Sequence, residues 1–210
     1  MNNKKVFIIS LSLVLLSFAI LFVWYTNKEK TQVQAAATTN LLRETAMSLG
    51  NPQSAVKVVE FFDPECESCR YFHPYLKSLV QEYGDRVHFV FRYAPFHGNS
   101  KMVVKILEAS RAQDKYWQTL DALYQSQPQW GDHHHPRPEL IWNFIQPVVD
   151  VEKIRVDMNN PEFDKLIEQD LRDGAALGVR MTPSFFVNSD PLSRFSYEAL
   201  KELIELHLKR

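Results

Sequence analysis

Cys66 and Cys69 are the only cysteines among 210 residues, and just two residues separate them. The pair follows an apolar run at Val56–Phe62 and precedes residues 70–83, whose apolar side chains recur at helical spacing. The N-terminus of a helix carries unpaired N–H groups and the positive end of the helix dipole, which favour a thiolate over a thiol. Because the thiolate is the form that attacks disulfides, this placement predicts a redox-active pair.

Other interpretations of the pair remain open at this point. A structural disulfide would close a loop of only two intervening residues and would therefore stabilise the fold little. A zinc site usually needs four Cys or His ligands, and the chain has no second C-x-x-C motif. A Cu(I) carrier would need only the two thiolates. Two cysteines can also fall close together by chance.

The overall composition is that of an ordinary globular protein, with 45% hydrophobic and 23% charged residues. The net charge is −1 and no long basic run occurs, which argues against a nucleic-acid partner. Apart from the N-terminal segment, about 175 residues remain, enough for one domain with a substantial core. The absence of further cysteines fits an oxidising compartment, where stray thiols would mispair.

The N-terminal segment predicts a transmembrane helix. Residues 6–25 are apolar and uncharged, and a helix of about 20 such residues spans about 30 Å, the thickness of one hydrocarbon core. Trp24 and Tyr25 end the run, where aromatic rings prefer the membrane interface. A cleaved signal peptide usually has an apolar region of only about 7–15 residues, so we expect an uncleaved anchor in the lipid bilayer.

We expect residues 1–27 to form this anchor and residues 28–48 to form a linker. Lysines lie on both sides of the apolar run, two before it and two after it, so the positive-inside rule does not decide the orientation. A lone thiol pair on a tethered domain makes chemical sense outside the cytoplasm. The expected location is the inner or cytoplasmic membrane, single-pass, with the catalytic domain on the periplasmic or extracytoplasmic side.

The remaining sequence predicts an α/β domain. Val56–Phe62 and Val87–Tyr93 are typical of buried strands, and the helix between them should be kinked by Pro74. This strand–helix–strand order is the unit of a parallel sheet. The elements predicted after it are helices at 100–113 (begun by a serine cap), 115–126, 138–146 and 160–178, a loop at 127–137, a strand at 184–188, a turn at 189–190, an edge strand at 191–194 and a helix at 196–208.

This layout resembles a thioredoxin fold, and more narrowly the DsbA-like family of exported thiol-disulfide oxidoreductases. That family carries a helical insertion at this point, here about residues 99–178. The resemblance covers residues 49–210 and rests on Leu49-Gly50-Asn51-Pro52, on residues 59–70 (V-E-F-F-D-P-E-C-E-S-C-R), on Gly178-Val179 and on residues 182–188 (T-P-S-F-F-V-N). The fold class it implies is a thioredoxin fold with a helical insertion, preceded by the N-terminal transmembrane helix.

The resemblance also implies roles for the matching residues. Cys66 corresponds to the exposed nucleophile that forms a mixed disulfide with the substrate, and Cys69 to the more buried thiol that resolves it. Glu60 corresponds to a buried acid that carries a proton to or from Cys69, although alternation alone would also allow it to face solvent. Thr182 and Pro183 correspond to a cis-proline loop that presents its backbone to an extended substrate.

The expected function is that of a protein-disulfide oxidoreductase that exchanges disulfides with cysteine-containing exported proteins. The disulfide is itself the two-electron store, so no organic cofactor is expected, and the resemblance implies a membrane redox partner that resets the pair. A dedicated reductase or isomerase for a specific substrate remains an alternative. So do a Cu(I)-binding metallochaperone and a non-catalytic binding module.

The loop between the cysteines departs from the strong oxidants of the family, which often carry a histidine there. Glu67 and Ser68 occupy it here, and Asp63 and Glu65 precede it. Each nearby carboxylate would oppose a charge on Cys66, whereas the helix dipole would favour it. We therefore expect Glu67 and Ser68 to tune the pair, with a less acidic Cys66 and a less oxidising disulfide than in a strong oxidant. The direction of net electron flow stays open.

The histidines do not predict a metal site. His133, His134 and His135 are adjacent in a predicted loop, and three consecutive side chains cannot easily share one ion with good geometry. We therefore expect no bound metal. His73 lies one helical turn after Cys69, where it could contact that thiol.

Overall fold

A computed structural model describes Leu21, Phe22, Tyr25 and residues 40–210 except His133. The predicted transmembrane segment at residues 6–25 lies outside the described residues, apart from those first three, which are helical. Among the described residues, no helix is both long and apolar enough to cross a bilayer. Residues 1–39 and 40–210 form separate units, and the second unit contains both cysteines.

A five-stranded sheet organises residues 40–210. Its strands are β1 (Met47–Gly50), β2 (Val56–Phe62), β3 (Val87–Tyr93), β4 (Ser184–Val187) and β5 (Asp190–Pro191), in the spatial order β1-β3-β2-β4-β5. Strands β2 and β3 run parallel, and the other neighbouring pairs are antiparallel. The two central strands have the predicted bounds. Strand β1 was not predicted, and its first two residues fall within the expected linker.

The helices follow the order expected for an α/β domain with a helical insertion. They are α1 (Glu67–Tyr83) after β2, then α2 (Ser100–Ser110), α3 (Tyr116–Trp130), α4 (Ile141–Ile145), α5 (Val151–Asp157) and α6 (Pro161–Ala176) between β3 and β4, and α7 (Tyr197–Leu208) at the end. Short 3-10 helices occupy Arg111–Gln113 and Pro138–Leu140. The insertion therefore lies where the sequence predicted it.

Several predicted boundaries were wrong. Helix α3 continues through Pro128 into the expected loop, because Trp130 is buried and its indole N–H donates to the Leu123 carbonyl at 3.0 Å. Ser100 is the first residue of α2 rather than its N-cap, and its hydroxyl donates to acidic side chains near the cysteines instead. Helix α5 was missed. The turn after β4 and the edge strand β5 lie earlier than predicted.

Alternation along β2 decides which of its side chains face the C-x-x-C helix. Val58 and Phe62 belong to the main core with α1, whereas Val59 and Phe61 pack on the opposite face of the sheet. Glu60 lies between the first two at a spacing of two residues and therefore shares their face. It is only 6% exposed, so the solvent-facing alternative for this residue was wrong.

Candidate active site

Cys66 is the residue at which the chain turns from the sheet into α1. It is the N-cap of that helix, with an extended backbone (φ −74°, ψ 123°), and its N–H donates to the Asp63 carbonyl at 3.1 Å. Its own carbonyl accepts the first helical hydrogen bond, from the Arg70 N–H, at 3.1 Å. The unpaired N–H groups of the first turn therefore follow directly after Cys66 in the chain.

Several hydrogen bonds stabilise the negative charge on Cys66. The largest contribution comes from the Cys69 side chain, and it outweighs the burial of Cys66, which acts the other way. Further hydrogen bonds come from the side chain of Thr182 and from the backbone N–H groups of Cys69 and Ser68. Together they lower the pKa of Cys66 to about 5. At neutral pH this sulfur is therefore mainly a thiolate.

Cys69 has the opposite character. Both cysteines are buried, with Cys66 7% and Cys69 1% exposed, so the expectation of an exposed Cys66 was wrong. Burial raises the pKa of the Cys69 thiol well above its usual value. The hydrogen bond to Cys66 and the nearby charges of Glu60 and Cys66 raise that pKa further, while the Asp63 N–H, which donates to the Cys69 sulfur at 3.5 Å, lowers it. The arrangement thus places one nucleophilic thiolate in front of one protonated thiol.

The loop before β4 faces Cys66 from the other side of the site. The Cys66 thiol lies 3.3 Å from the Thr182 carbonyl oxygen, to which it can donate. The Thr182-Pro183 peptide bond is cis, as the resemblance implied. Pro183 is buried, whereas the preceding Met181 is 70% exposed. The backbone of this loop is therefore held next to the reactive sulfur.

Glu60 lies on the side of the sheet that α1 covers. Burial raises the pKa of its carboxyl group from 4.5 to about 8, and the negative charge of Cys66 raises it in the same direction. Glu60 is therefore mostly protonated at neutral pH and close to the point at which it gains or loses a proton. That state suits a group that exchanges protons with a buried thiol.

The acidic residues before the motif do not face the cysteines as bare charges. The Asp63 carboxylate accepts hydrogen bonds from the N–H groups of Phe96 and His97, from the His97 ring and from the Ser100 hydroxyl. Glu65 accepts hydrogen bonds from the N–H and the side chain of Asn99. Both carboxylates therefore fasten the start of α2 to the loop that carries Cys66.

Gln127 is a site residue that the sequence did not predict. Its side chain reaches from α3 to the start of α1, where the amide nitrogen donates to the carbonyls of Pro64 and Cys66. It was not predicted because residues 127–137 were expected to form a loop rather than the end of α3. A usable signal was present, because Gln127 continues the helical spacing of the buried residues Leu123 and Tyr124.

His73, His134 and His135 form hydrogen bonds with aspartates rather than with the two sulfurs. His73 pairs with Asp121 at 2.7 Å rather than with Cys69. The backbone N–H groups of His134 and His135 donate to the Asp132 side chain in an exposed loop, and His133 lies outside the described residues. The described part of the chain contains no group of three residues suited to hold a metal ion.

An aromatic surface extends from the start of α1, formed by Tyr71, Tyr75, Phe195 and Tyr197. Tyr71 is 65% and Phe195 is 49% exposed. The rings of Tyr71 and Tyr75 have centroids 5.7 Å apart, and those of Tyr75 and Tyr197 are 5.6 Å apart. Phe195 stacks against the buried Phe72 at 4.9 Å. Large aromatic side chains therefore remain accessible on and beside α1, the helix whose N-cap is Cys66.

Known proteins resemble this chain in sequence and in fold. A family model described as "Thioredoxin" matches residues 42–206. The chain is 33% identical over 175 residues to "Probable disulfide bond formation protein D" of Bacillus anthracis, covering 79% of this chain and 80% of that protein. The crystal structure of oxidised BdbD from Bacillus subtilis matches with a TM-score of 0.69 and 25% identity, covering 79% of this chain and 94% of that one.

Two further matches differ in how much of the relative the chain covers. A thioredoxin-like oxidoreductase from Silicibacter pomeroyi DSS-3 has a TM-score of 0.70 and 27% identity, covering 83% of this chain and 97% of that one. The Na(+)/H(+) antiporter NhaA of Herminiimonas arsenicoxydans is 29% identical over 195 residues, which are 89% of this chain but 30% of the antiporter. The chain thus spans less than a third of that relative.

The chain belongs to the thioredoxin family. Its fold, its C-x-x-C motif at the start of a helix and its disulfide bond formation relatives identify a DsbA-like thiol-disulfide oxidoreductase. Its enzymatic class is protein-disulfide oxidoreductase.

Proposed function

We propose that this enzyme introduces disulfides into cysteine-containing exported proteins. The observation that carries the proposal is the set of hydrogen bonds around Cys66, which lowers the pKa of its thiol to about 5. A stabilised thiolate makes the reduced enzyme the favoured state, and an enzyme that prefers to be reduced is an oxidant for its substrates. No organic cofactor is required, because the Cys66–Cys69 disulfide accepts the two electrons.

The first step forms a mixed disulfide. A substrate thiolate attacks the Cys66 sulfur, the Cys66–Cys69 bond breaks, and its electron pair moves to the Cys69 sulfur. Cys69 then takes up a proton, because burial raises the pKa of its thiol. Glu60 is the proposed proton donor, since it is protonated at neutral pH and shares the buried side of the sheet with α1.

The second step releases the product. A second substrate thiolate attacks the substrate sulfur of the mixed disulfide and displaces Cys66 as a thiolate. The substrate has then lost two electrons and gained a disulfide, while the enzyme holds two reduced cysteines. A thiol of low pKa is a good leaving group, so the hydrogen bonds to Cys66 favour this step as well. Glu67 and Ser68 are exposed at the start of α1, where they would tune it.

Two surfaces are proposed to receive the substrate. Thr182 and Pro183 would present their backbone to an extended substrate strand beside Cys66. The aromatic surface, with Tyr71 exposed on α1, would contact apolar side chains that an unfolded exported protein still displays. Unfolded chains of many sequences share these two features, which suits an enzyme with many substrates.

We also propose that residues 6–25 anchor the enzyme in the inner or cytoplasmic membrane, with the catalytic domain outside the cytoplasm. An oxidant that turns over must be reoxidised, so a membrane redox partner would remove the two electrons from the reduced pair. Extraction of membranes with alkaline carbonate tests the anchor. The full chain should stay in the pellet, and a variant without residues 1–27 should be released.

Trapping of mixed disulfides tests the oxidase proposal. The Cys69→Ala variant lacks the resolving thiol, so in cells it should accumulate disulfides between Cys66 and many exported cysteine-containing proteins. Acid quenching, non-reducing electrophoresis and mass spectrometry would identify them. The matched control with Cys66→Ser in addition should capture none. One dominant partner would instead indicate the dedicated reductase or isomerase, and no Cys66-dependent adduct at all would contradict thiol exchange.

A Cu(I) carrier is the less supported alternative. Copper binding would need both sulfurs as thiolates, whereas burial keeps Cys69 protonated. Titration of the reduced protein with Cu(I) in competition with a chelator would reveal such a function by tight binding that depends on both cysteines.

A further inference from the structure

Gln127 lies at the end of α3, within the helical insertion, yet its polar atoms are engaged at the start of α1. Its side chain is buried, with the residue 1% exposed. The amide nitrogen donates to the Pro64 carbonyl at 3.0 Å and to the Cys66 carbonyl at 3.1 Å. The amide oxygen accepts a hydrogen bond from the Arg70 side chain at 2.9 Å. One side chain thus contacts residues before, at and after the N-cap.

The packing around Gln127 leaves it little freedom to adopt another position. Gly131 lies so close that a Cβ atom there would come within 3.2 Å of the Gln127 side chain and within 3.6 Å of Glu65. A buried amide that left its partners would also abandon three hydrogen-bonding groups in a site with few alternatives. The contact is therefore a fixed part of the folded domain.

The carbonyl of Cys66 belongs to the same peptide group as the first N–H of α1. Fixing that carbonyl fixes the orientation of the turn whose N–H groups reach the sulfur. In addition, the hydrogens of an amide nitrogen carry partial positive charge and lie next to the residue that bears the thiolate. In a buried site both effects favour the charged sulfur more strongly than they would in water.

We propose that Gln127 is a positioning residue that holds the Cys66 backbone in the geometry in which the N–H groups of α1 stabilise its thiolate. The helical insertion is then part of the redox machinery and not only a cover for the sheet. This inference rests on the proposed oxidase function, because it assigns to Gln127 a share of the thiolate stability on which that function depends.

Substitution of Gln127 by Met in the full chain tests the inference. Methionine has a similar volume but neither donates nor accepts strongly, so both carbonyls lose their partner. We expect the midpoint of Cys66 thiolate formation, followed by absorbance at 240 nm, to rise by about one pH unit, a tenfold change in acidity. The equilibrium with glutathione should shift about tenfold towards the enzyme disulfide. Gln129→Met, an exposed position on the same helix, is the matched control and should change neither.

A wild-type midpoint in a folded but less stable Gln127→Met protein would overturn the inference, because a merely structural role moves stability and not acidity. If that variant does not fold, Gln127→Leu removes the same hydrogen bonds without adding a charge that would itself oppose the thiolate. Its midpoint should also rise, and an unchanged midpoint would again overturn the inference. Failure of the wild-type protein to exchange disulfides would count against the oxidase function alone.

Discussion

At the residue scale, the two sulfurs differ in acidity because their surroundings differ. Hydrogen bonds lower the pKa of Cys66 to about 5, while burial raises that of Cys69. The value for Cys66 lies between the roughly 3.5 of DsbA and the roughly 7 of thioredoxin. The expectation of a thiol less acidic than in a strong oxidant stays a prediction. Asp63 and Glu65, which were expected to oppose the charge on Cys66, accept hydrogen bonds from Ser100 and Asn99 at the start of α2.

Glu60→Gln should stabilise the folded protein at neutral pH. The pKa of Glu60 is raised on folding from 4.5 to about 8, so the folded state binds more protons than the unfolded state between these values, and stability falls as pH rises. Glutamine has no proton to lose. We expect a gain of about 2–3 kcal/mol in the free energy of unfolding at pH 7 and almost none below pH 4.5.

Denaturant unfolding of both proteins at several pH values measures this difference. Glu202→Gln, at an exposed position on α7, is the control and should behave like the wild type at every pH. A difference for Glu60→Gln that does not vary with pH would show that Glu60 ionises normally in the folded protein.

The sequence predicted the residues that carry the chemistry better than those that support them. Cys66 and Cys69 are recognisable because their chemistry depends on residue type and close spacing, whereas the role of Thr182-Pro183 was implied only by the family resemblance. Gln127 acts across 61 positions of sequence, through contacts that exist only once α3 packs against α1. No local pattern records such a contact. The contact that His73 could have made with Cys69 is replaced by a hydrogen bond with Asp121 on α3, which is likewise too distant in sequence to appear in a local pattern.

At the scale of the elements, buried charges join the insertion to the sheet. Arg92 on β3 is fully buried and forms ion pairs with Asp170 and Asp173 on α6, at 2.8 and 2.6 Å. It also donates to the carbonyls of Asn40 and Leu41, which precede β1. The Arg92 side chain therefore links β3, α6 and residues 40–41.

Arg92→Met should destabilise the domain strongly, because two buried carboxylates lose their fully buried cation and keep only the more exposed Arg43 as a charged partner. We expect a loss of about 3–5 kcal/mol in the free energy of unfolding at pH 7. The loss should shrink in acid, where Asp170, whose pKa is raised by burial, becomes neutral before Asp173, whose pKa is lowered. Chemical denaturation at pH 7 and pH 4 measures both effects.

The control variant is Arg172→Met, on the exposed side of α6, which should lower the free energy of unfolding by no more than about 0.5 kcal/mol. Equal losses for the two variants would contradict this role of Arg92.

The sequence predicted the bounds of a strand correctly where the strand is buried on both faces. Strands β2 and β3 are buried on both faces, so their composition marks their ends. Strand β1 has only four residues at the sheet edge and carries no such pattern. The loop predicted at 127–137 placed the end of α3 too early, because burial of Trp130 extends the helix through Pro128. The position of β1 and the end of α3 depend on tertiary packing, which a local sequence pattern does not reveal.

At the scale of the whole molecule, the redox state of one pair should change the stability of the domain. The reduced form contains the stabilised Cys66 thiolate, and the oxidised form does not. The disulfide itself adds little, because its loop contains only two residues between the cysteines. The domain should therefore unfold more easily when oxidised, as expected for an enzyme that readily gives its disulfide away.

Thermal unfolding should show a higher Tm for the reduced protein than for the oxidised protein at pH 7. The pKa of Cys66 is lower in the folded than in the unfolded state, so its contribution is complete above the unfolded value and is lost as pH falls through about 5. The Tm difference should thus shrink between pH 7 and pH 4. A more stable oxidised form at pH 7 would argue for a reductase.

The most direct test of the acidity difference between the two thiols is alkylation of the reduced full chain by iodoacetamide across pH 3–10, with the modified residue located by mass spectrometry. We expect Cys66 alone to react, with a rate that rises around a midpoint near pH 5. Equal modification of Cys69, or a midpoint near the roughly 8.5 of an ordinary thiol, would contradict the proposed division of roles between the two cysteines.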